Sequence, residues 1–126
     1  MTGSTPLKPL RWVGSSRKDL KRFPEEVRDV LGRALLDTQF GERPADARPL
    51  KGFVGASVLE ITDDFRGDTY RIVYTVRFPG TVYVLHAFKK KSKRGAKTPR
   101  REMELVRKRH RAAERHFREH EGGDGP

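Results

Sequence analysis

Arg71 lies within Asp68-Thr69-Tyr70-Arg71-Ile72-Val73-Tyr74, where apolar and polar residues alternate, so its guanidinium falls in the middle of a strand. A charge there is costly unless it is paired or aimed at an anion. Two ordinary arrangements meet that demand: the side chain faces solvent with Thr69 and Arg77, or it pairs with Glu60 across the sheet. A third is chemical. His86 lies near the end of the last apolar run, Lys89, Lys90 and Lys91 follow that run, and Lys51 sits at a loop exit, all at places from which side chains can converge with Arg71 on one sheet face. A cationic cluster of that kind stabilises the charge that develops on a phosphate attacked by a ribose 2′-hydroxyl, with no metal. It cleaves RNA and spares DNA. The general base is then His86 or a lysine of depressed pKa, although a histidine at a strand end also has an ordinary structural role.

Other chemistries leave no trace. There is no cysteine, hence no disulfide framework and no thiolate metal site. No G-x-S-x-G elbow, H-E-x-x-H pair, phosphate-binding glycine loop or calcium loop occurs. His116 and His120 have the i, i+4 spacing of a metal pair but no third ligand, and Asp63-Asp64 sits where turns favour Asp. The expectation is an enzyme with no metal and no cofactor.

Charge points the same way. Of 28 Lys/Arg and 17 Asp/Glu, 14 cations and three acids fall between His86 and Arg118, so this third carries essentially all of the net charge of +11. Six of the nine residues from Lys89 to Lys97 are cationic. A localised basic region is the footprint expected for nucleic acid; an acidic protein partner or a solvated helix face would leave a similar one. The 126 residues contain no apolar run long enough to span a bilayer, and Met1 to Pro9 lacks a signal-peptide core, so a soluble cytoplasmic protein with no membrane partner is expected.

The elements that must position these residues follow from period and punctuation. One domain over 1–126 is expected, with a loose leader over 1–9 and a disordered glycine-rich tail over 119–126. Leu10 to Val13 reads as a short strand. Gly14-Ser15-Ser16 supplies a turn and cap for a helix over Arg17 to Phe23, whose Leu20 and Phe23 face the core. Pro24 opens a second helix with the stripe Val27, Val30, Leu31, Ala34 and Leu35, stopped at Gly41. A loop runs from Glu42 to Gly52. The period then changes to 2 for strands around Val58 to Thr62 and Thr69 to Phe78, joined by a polar turn over Asp63 to Asp68. Pro79-Gly80 turns into a third run, Thr81 to Phe88. Thr98 caps and Pro99 opens a final helix with Met103, Val106, Ala113 and Phe117 on its apolar side. The fold class is α+β: a small antiparallel sheet, an N-terminal helical hairpin packed on it, and a C-terminal helix.

Several of these segments together resemble a known family. Lys8-Pro9-Leu10-Arg11-Trp12-Val13-Gly14-Ser15-Ser16, Ala47-Arg48-Pro49-Leu50-Lys51-Gly52, Val58-Leu59-Glu60-Ile61, Asp68 to Tyr74, and His86-Ala87-Phe88-Lys89-Lys90-Lys91-Ser92 followed by Thr98-Pro99 are similar, in order, to the RelE/ParE toxin superfamily, in particular its phage-derived, HigB-like branch. The resemblance implies a RelE-like fold and a type II toxin that cleaves mRNA on the ribosome. It also implies a helix-turn-helix antitoxin as partner. Arg71 matches the strand arginine that acts on the scissile phosphate, Lys51 a basic loop residue, and His86 and Lys89 to Lys91 the basic motif at the end of the last strand, with His86, Lys89 and Lys91 in the catalytic set. Lys90, Lys93, Arg94, Lys97, Arg100 and Arg101 are the RNA-binding set, gripping mRNA and rRNA. Relatives of this superfamily often carry a tyrosine near the C-terminus; here Phe117 has no hydroxyl and Tyr83 faces the core, so the acid–base assignment stays open. Relatives of ParE type keep the fold and inhibit DNA gyrase, and a non-toxic nucleic-acid-binding protein of phage origin is the remaining alternative.

Overall fold

The computed structural model describes residues 7–53, 55, 57–91 and 98–120. In chain order the elements are β1 (Leu10–Trp12), α1 (Ser16–Lys21), α2 (Glu25–Gln39), β2 (Arg48–Pro49), β3 (Val58–Phe65), β4 (Asp68–Thr75), β5 (Val82–Lys91) and α3 (Arg100–His120). They form an α+β fold around one five-stranded sheet of order β1-β5-β4-β3-β2.

The two helices of the N-terminal hairpin need an apolar surface, and the sheet supplies it. Leu20, Phe23, Val27, Leu31, Ala34 and Leu35 pack on Leu59, Ile61, Tyr70, Ile72, Tyr74, Val82, Val84 and Ala87, one face of the sheet. On the other face Val58, Val73, Tyr83, Leu85 and Phe88 pack with Val106 and Ala113 of α3. The sheet is therefore covered on both sides, and Tyr70 to Thr75 are all buried. The half-buried sheet that strand alternation suggests is not what forms, because α3 lies on the face expected to be wet.

Punctuation differs in instructive ways. Pro24 is the N-cap of α2 and not its first helical residue. The helix ends in a Schellman arrangement: Gly41 N–H reaches Thr38 O, Glu42 N–H reaches Asp37 O, and Gly41 takes the left-handed φ of 90° that this needs. Val30, expected on the apolar stripe, is 49% exposed at its solvent edge. The expected six-residue turn at Asp63 to Asp68 shrinks to Arg66-Gly67, with φ of 52° and 86°, the pair of positive values that suits a twisted two-residue hairpin. The connection from β4 to β5 is longer than a tight turn and spans 76–81, so Arg77 and Phe78 lie outside the strand. Two sheet members were not foreseen as such: β2, inside the expected loop, and the parallel pairing of β1 with β5.

At the ends, Lys8 is tied to Gln39 by two hydrogen bonds, its N–H to Gln39 O at 3.0 Å and Gln39 Nε2 to its carbonyl at 2.8 Å. α3 continues through Glu119 and His120; residues 1–6 and 121–126 lie outside the described part. No described helix is long and apolar enough to cross a membrane.

Candidate active site

The site is aimed by a defect in the sheet. Pairing of β4 with β5 runs Arg71↔Phe88, Ile72↔Ala87, Val73↔His86 and then jumps to Tyr74↔Val84, so Leu85 is an extra residue, a β-bulge. Along β5, Tyr83 and Leu85 face α3; unbroken alternation would send Ala87, Lys89 and Lys91 the same way. The bulge reverses the parity. His86, stacked on Phe88 at 4.8 Å between ring centroids, now faces α3, and Lys90 follows on the side of Arg71.

Arg71 is buried between β4 and the start of α3. Its Nη1 donates to Glu60 Oε1 at 3.1 Å and to Thr98 Oγ1 at 3.2 Å. The Thr98 hydroxyl is thus taken up by the guanidinium, and the first intrahelical bond of α3 runs from Met103 N–H to Pro99 O. Lys90 is near enough to feel both partners of this pair. Burial and the Arg71 guanidinium lower its pKa from the ordinary lysine value, and the Glu60 carboxylate partly restores it.

His86 is equally enclosed. Its Nε2 lies 2.6 Å from Glu102 Oε1, and Arg109 Nη1 lies 3.3 Å from its Nδ1. A guanidinium only donates, so Nδ1 accepts and the ring proton sits on Nε2, where it donates to the carboxylate. The same Nη1 donates to Leu85 O at 3.0 Å, the carbonyl of the bulged residue, and Nη2 donates to Ser15 Oγ at 3.0 Å. Ser15 Oγ in turn donates to Asp19 Oδ2 at 2.7 Å. Arg109 therefore fastens the bulge, the start of α1 and the imidazole at once. Burial lowers its pKa, while Asp19 and Glu102 raise it.

The expected convergence holds for part of the set. Arg71, His86 and Lys90 share one face. Lys89 does not: it is half-exposed on the opposite face, 3.8 Å from Asp68 Oδ2. Lys91 closes β5 opposite Asp68, and its side chain is outside the described part. Lys51 is exposed beyond the Val58 end of β3, whereas Arg71 pairs opposite Thr62, about 13 Å further along the strand. Arg100 and Arg101 are exposed on the first turn of α3; Lys93, Arg94 and Lys97 lie outside the described residues. Glu60, Thr98, Glu102 and Arg109 complete the cluster. Of these Glu60 had a sequence signal as a cross-strand partner and Thr98 as a helix cap.

His116 and His120 stack at 4.5 Å, but His116 Nδ1 meets Tyr83 Oη at 2.8 Å and His120 Nδ1 meets His116 O at 3.1 Å. No group of three or more potential metal ligands occurs among the described residues.

A family model described as "Phage derived protein Gp49-like" matches residues 18–111, three quarters of the chain, from within α1 to just past Arg109. The chain belongs to the phage-derived Gp49-like family. No curated protein sequence matches it. Among solved structures, a double arginine-to-alanine variant of the Escherichia coli toxin RelE in the free state is 18% identical, with a TM-score of 0.54 over 85% of this chain and 98% of that one. The isolated E. coli RelE toxin is 22% identical, with a TM-score of 0.53 over 80% and 97%. At such identities the likeness is one of fold: the Gp49-like chain has a RelE-like fold.

The Gp49-like protein also has a basic groove at the other end of the sheet that its sequence did not reveal. A cavity of about 1010 Å³ lies between β1, α1 and the second half of α3, with Trp12, Tyr83 and Ala113 among its lining and Arg11, Arg17, Lys18, Lys21 and Arg22 around it. Four of these cations fall within residues 17–22 on and just after α1, and the fold brings Arg11 of β1 beside them.

Proposed function

We propose that this Gp49-like protein is the toxin of a type II toxin–antitoxin pair, an endoribonuclease that cleaves mRNA on the ribosome without a metal. The observation that carries the reading is one sheet face on which Arg71 and Lys90 stand beside the carboxylates Glu60 and Glu102. Arg71 stabilises the charge on the scissile phosphate. The lowered pKa of Lys90 makes its ammonium a better proton donor to the leaving 5′-oxygen. The exposed cations Arg100 and Arg101 grip RNA at the entrance. The partner is an antitoxin of helix-turn-helix type encoded alongside.

The test is induction of the protein followed by mapping of mRNA 5′ ends, with Arg71→Met in parallel and circular dichroism to confirm its fold. New 5′-hydroxyl ends are expected with wild type and none with the variant. Intact mRNA with wild type, or unchanged cleavage with Arg71→Met, overturns the proposal. A second reading, a toxin that blocks a protein such as DNA gyrase, draws on one observation: Arg71 and His86 are both engaged by carboxylates, as suits a protein with no chemistry to perform. Double-strand DNA breaks with intact mRNA are its signature.

A further inference from the structure

The geometry points to Glu102 as the group that takes the proton from the attacking 2′-hydroxyl, with His86 and Arg109 as its positioning residues. This assignment rests on the nuclease reading above. His86 has neither nitrogen available for proton transfer: Nδ1 faces the Arg109 guanidinium at 3.3 Å, and Nε2 carries the proton that it donates to Glu102. As a neutral Nε2–H donor with an occupied Nδ1, it has no lone pair for a base and no spare proton for an acid. What it does is hold one oxygen of a carboxylate.

That carboxylate is well placed. Glu102 is in the first turn of α3, four residues beyond Thr98, whose hydroxyl touches Arg71, and it binds His86, two residues along β5 from the Phe88 that pairs opposite Arg71. Its side chain is 24% exposed, against 6% for His86, so one part of the group reaches solvent while its partner is enclosed. Glu60, the other carboxylate of the face, is committed to the guanidinium, and a proton placed on it would break that ion pair. Glu102 is bound directly by a neutral N–H, and protonation costs it only its longer-range attraction to Arg109.

The step balances as follows. The 2′-hydroxyl gives its proton to the Glu102 carboxylate as its oxygen bonds to phosphorus; the P–O5′ bond breaks, and the 5′-oxygen takes a proton from the Lys90 ammonium. The products are a 2′,3′-cyclic phosphate and a 5′-hydroxyl. Arg109 acts at one remove, because it binds both the bulge carbonyl and Nδ1 and thereby fixes which imidazole nitrogen bears the proton.

The experiment uses the full chain with mRNA-programmed ribosomes. Glu102→Gln keeps an oxygen to accept from His86, so the fold is preserved; cleavage should fall at least about 100-fold with ribosome binding within about twofold. The acid limb of the pH–rate profile should disappear in Glu102→Gln and persist in Glu60→Gln, the charged neighbours on this face being Arg71, Glu60, Lys90 and Arg109, with neutral His86 beside them. His86→Gln, which places an N–H donor where Nε2 was, should retain cleavage within about tenfold, whereas His86→Leu should not. Nitrogen NMR of wild type should show the Nε2–H tautomer of His86, a readout independent of activity. Full cleavage by Glu102→Gln alongside inactive Arg71→Met overturns the assignment and leaves the nuclease reading standing. An Nδ1–H tautomer, or an inactive but folded His86→Gln, also overturns it. An inactive wild type overturns both.

Discussion

Glu60→Ala tests whether Arg71 is held as a buried ion. The side chains of Arg71 and Glu60 are 9% and 18% exposed and meet at 3.1 Å. Removing one partner of a fully buried pair leaves an uncompensated charge and costs about 3–5 kcal/mol. Two features reduce that here. Thr98 Oγ1 still accepts from Nη1, a bond worth about 1 kcal/mol, and the space left by Glu60 opens partly to water. The expected loss is about 2–3 kcal/mol. In urea this appears as a lower midpoint with unchanged slope, and on heating as a fall of roughly 10 °C for a chain of this size.

Glu60→Gln keeps an acceptor for Nη1 and should cost about half as much. The double variant Arg71→Met/Glu60→Leu replaces both charges by apolar groups of similar volume and should lie within about 1 kcal/mol of wild type. It then serves as a folded control with no cation at the proposed phosphate position. A cost for Glu60→Ala below about 0.5 kcal/mol, the scale of a surface ion pair, would show instead that the guanidinium is solvated.

Gly14 has a φ of 59°, and a Cβ there would lie 2.7 Å from Arg109 Nε, so Gly14→Ala should cost about 1–3 kcal/mol in urea and broaden the His86 ring signals as the Arg109 anchor shifts. At the β3–β4 hairpin, Arg66 adopts a φ of 52° that asparagine tolerates better, and Arg66→Asn before Gly67 should raise stability by about 0.5–1 kcal/mol, read as a higher Tm. His110 is packed against Phe53 and Phe78, and burial, then Arg77, push its pKa below the ordinary 6.5, with Glu114 acting the other way. Its neutral form is the one that fits. This contribution to stability is therefore full above pH 6.5 and is lost as pH falls through the depressed folded value, so the urea midpoint should drop from pH 7.5 to 5.5 less in His110→Leu than in wild type. If Arg100 and Arg101 each grip a phosphate, replacing both with alanine should lower the slope of log K against log salt for single-stranded RNA by about 1.4; an unchanged slope would remove them from the interface.

Much of the fold was legible because local signals agreed with one another. Val27, Leu31, Ala34 and Leu35 carry a helical period and are all buried. Tyr70 to Thr75 alternate as a strand, and Gly41 stops α2 where a left-handed residue is needed. Less legible were features decided by distant partners. Val30 differs from Val27 only by where the edge of the sheet falls, and the two residues of β2 are a strand solely because Glu60 and Leu59 lie opposite them. The burial of Arg71 depends on α3, more than 25 residues away in the chain, covering its face.

The site shows the same division most sharply, because a single residue governs it. A run of three lysines after a strand looks uniform, and strict alternation from Tyr83 through Leu85 would place Lys89 and Lys91 beside Arg71. Leu85 breaks that rule: one unpaired residue reverses every side chain after it, sending Lys89 to Asp68 on the far face and Lys90 to the arginine. Nothing in Val82-Tyr83-Val84-Leu85-His86 distinguishes a bulged strand from a regular one, since every residue before His86 is apolar or aromatic and is buried either way. The cause lies in α3, where Arg109 captures the carbonyl that the ladder leaves free. Arg109 looks like one more cation on a basic helix, yet it is the residue through which α3 sets the direction of His86 and, with it, which lysine belongs to the site.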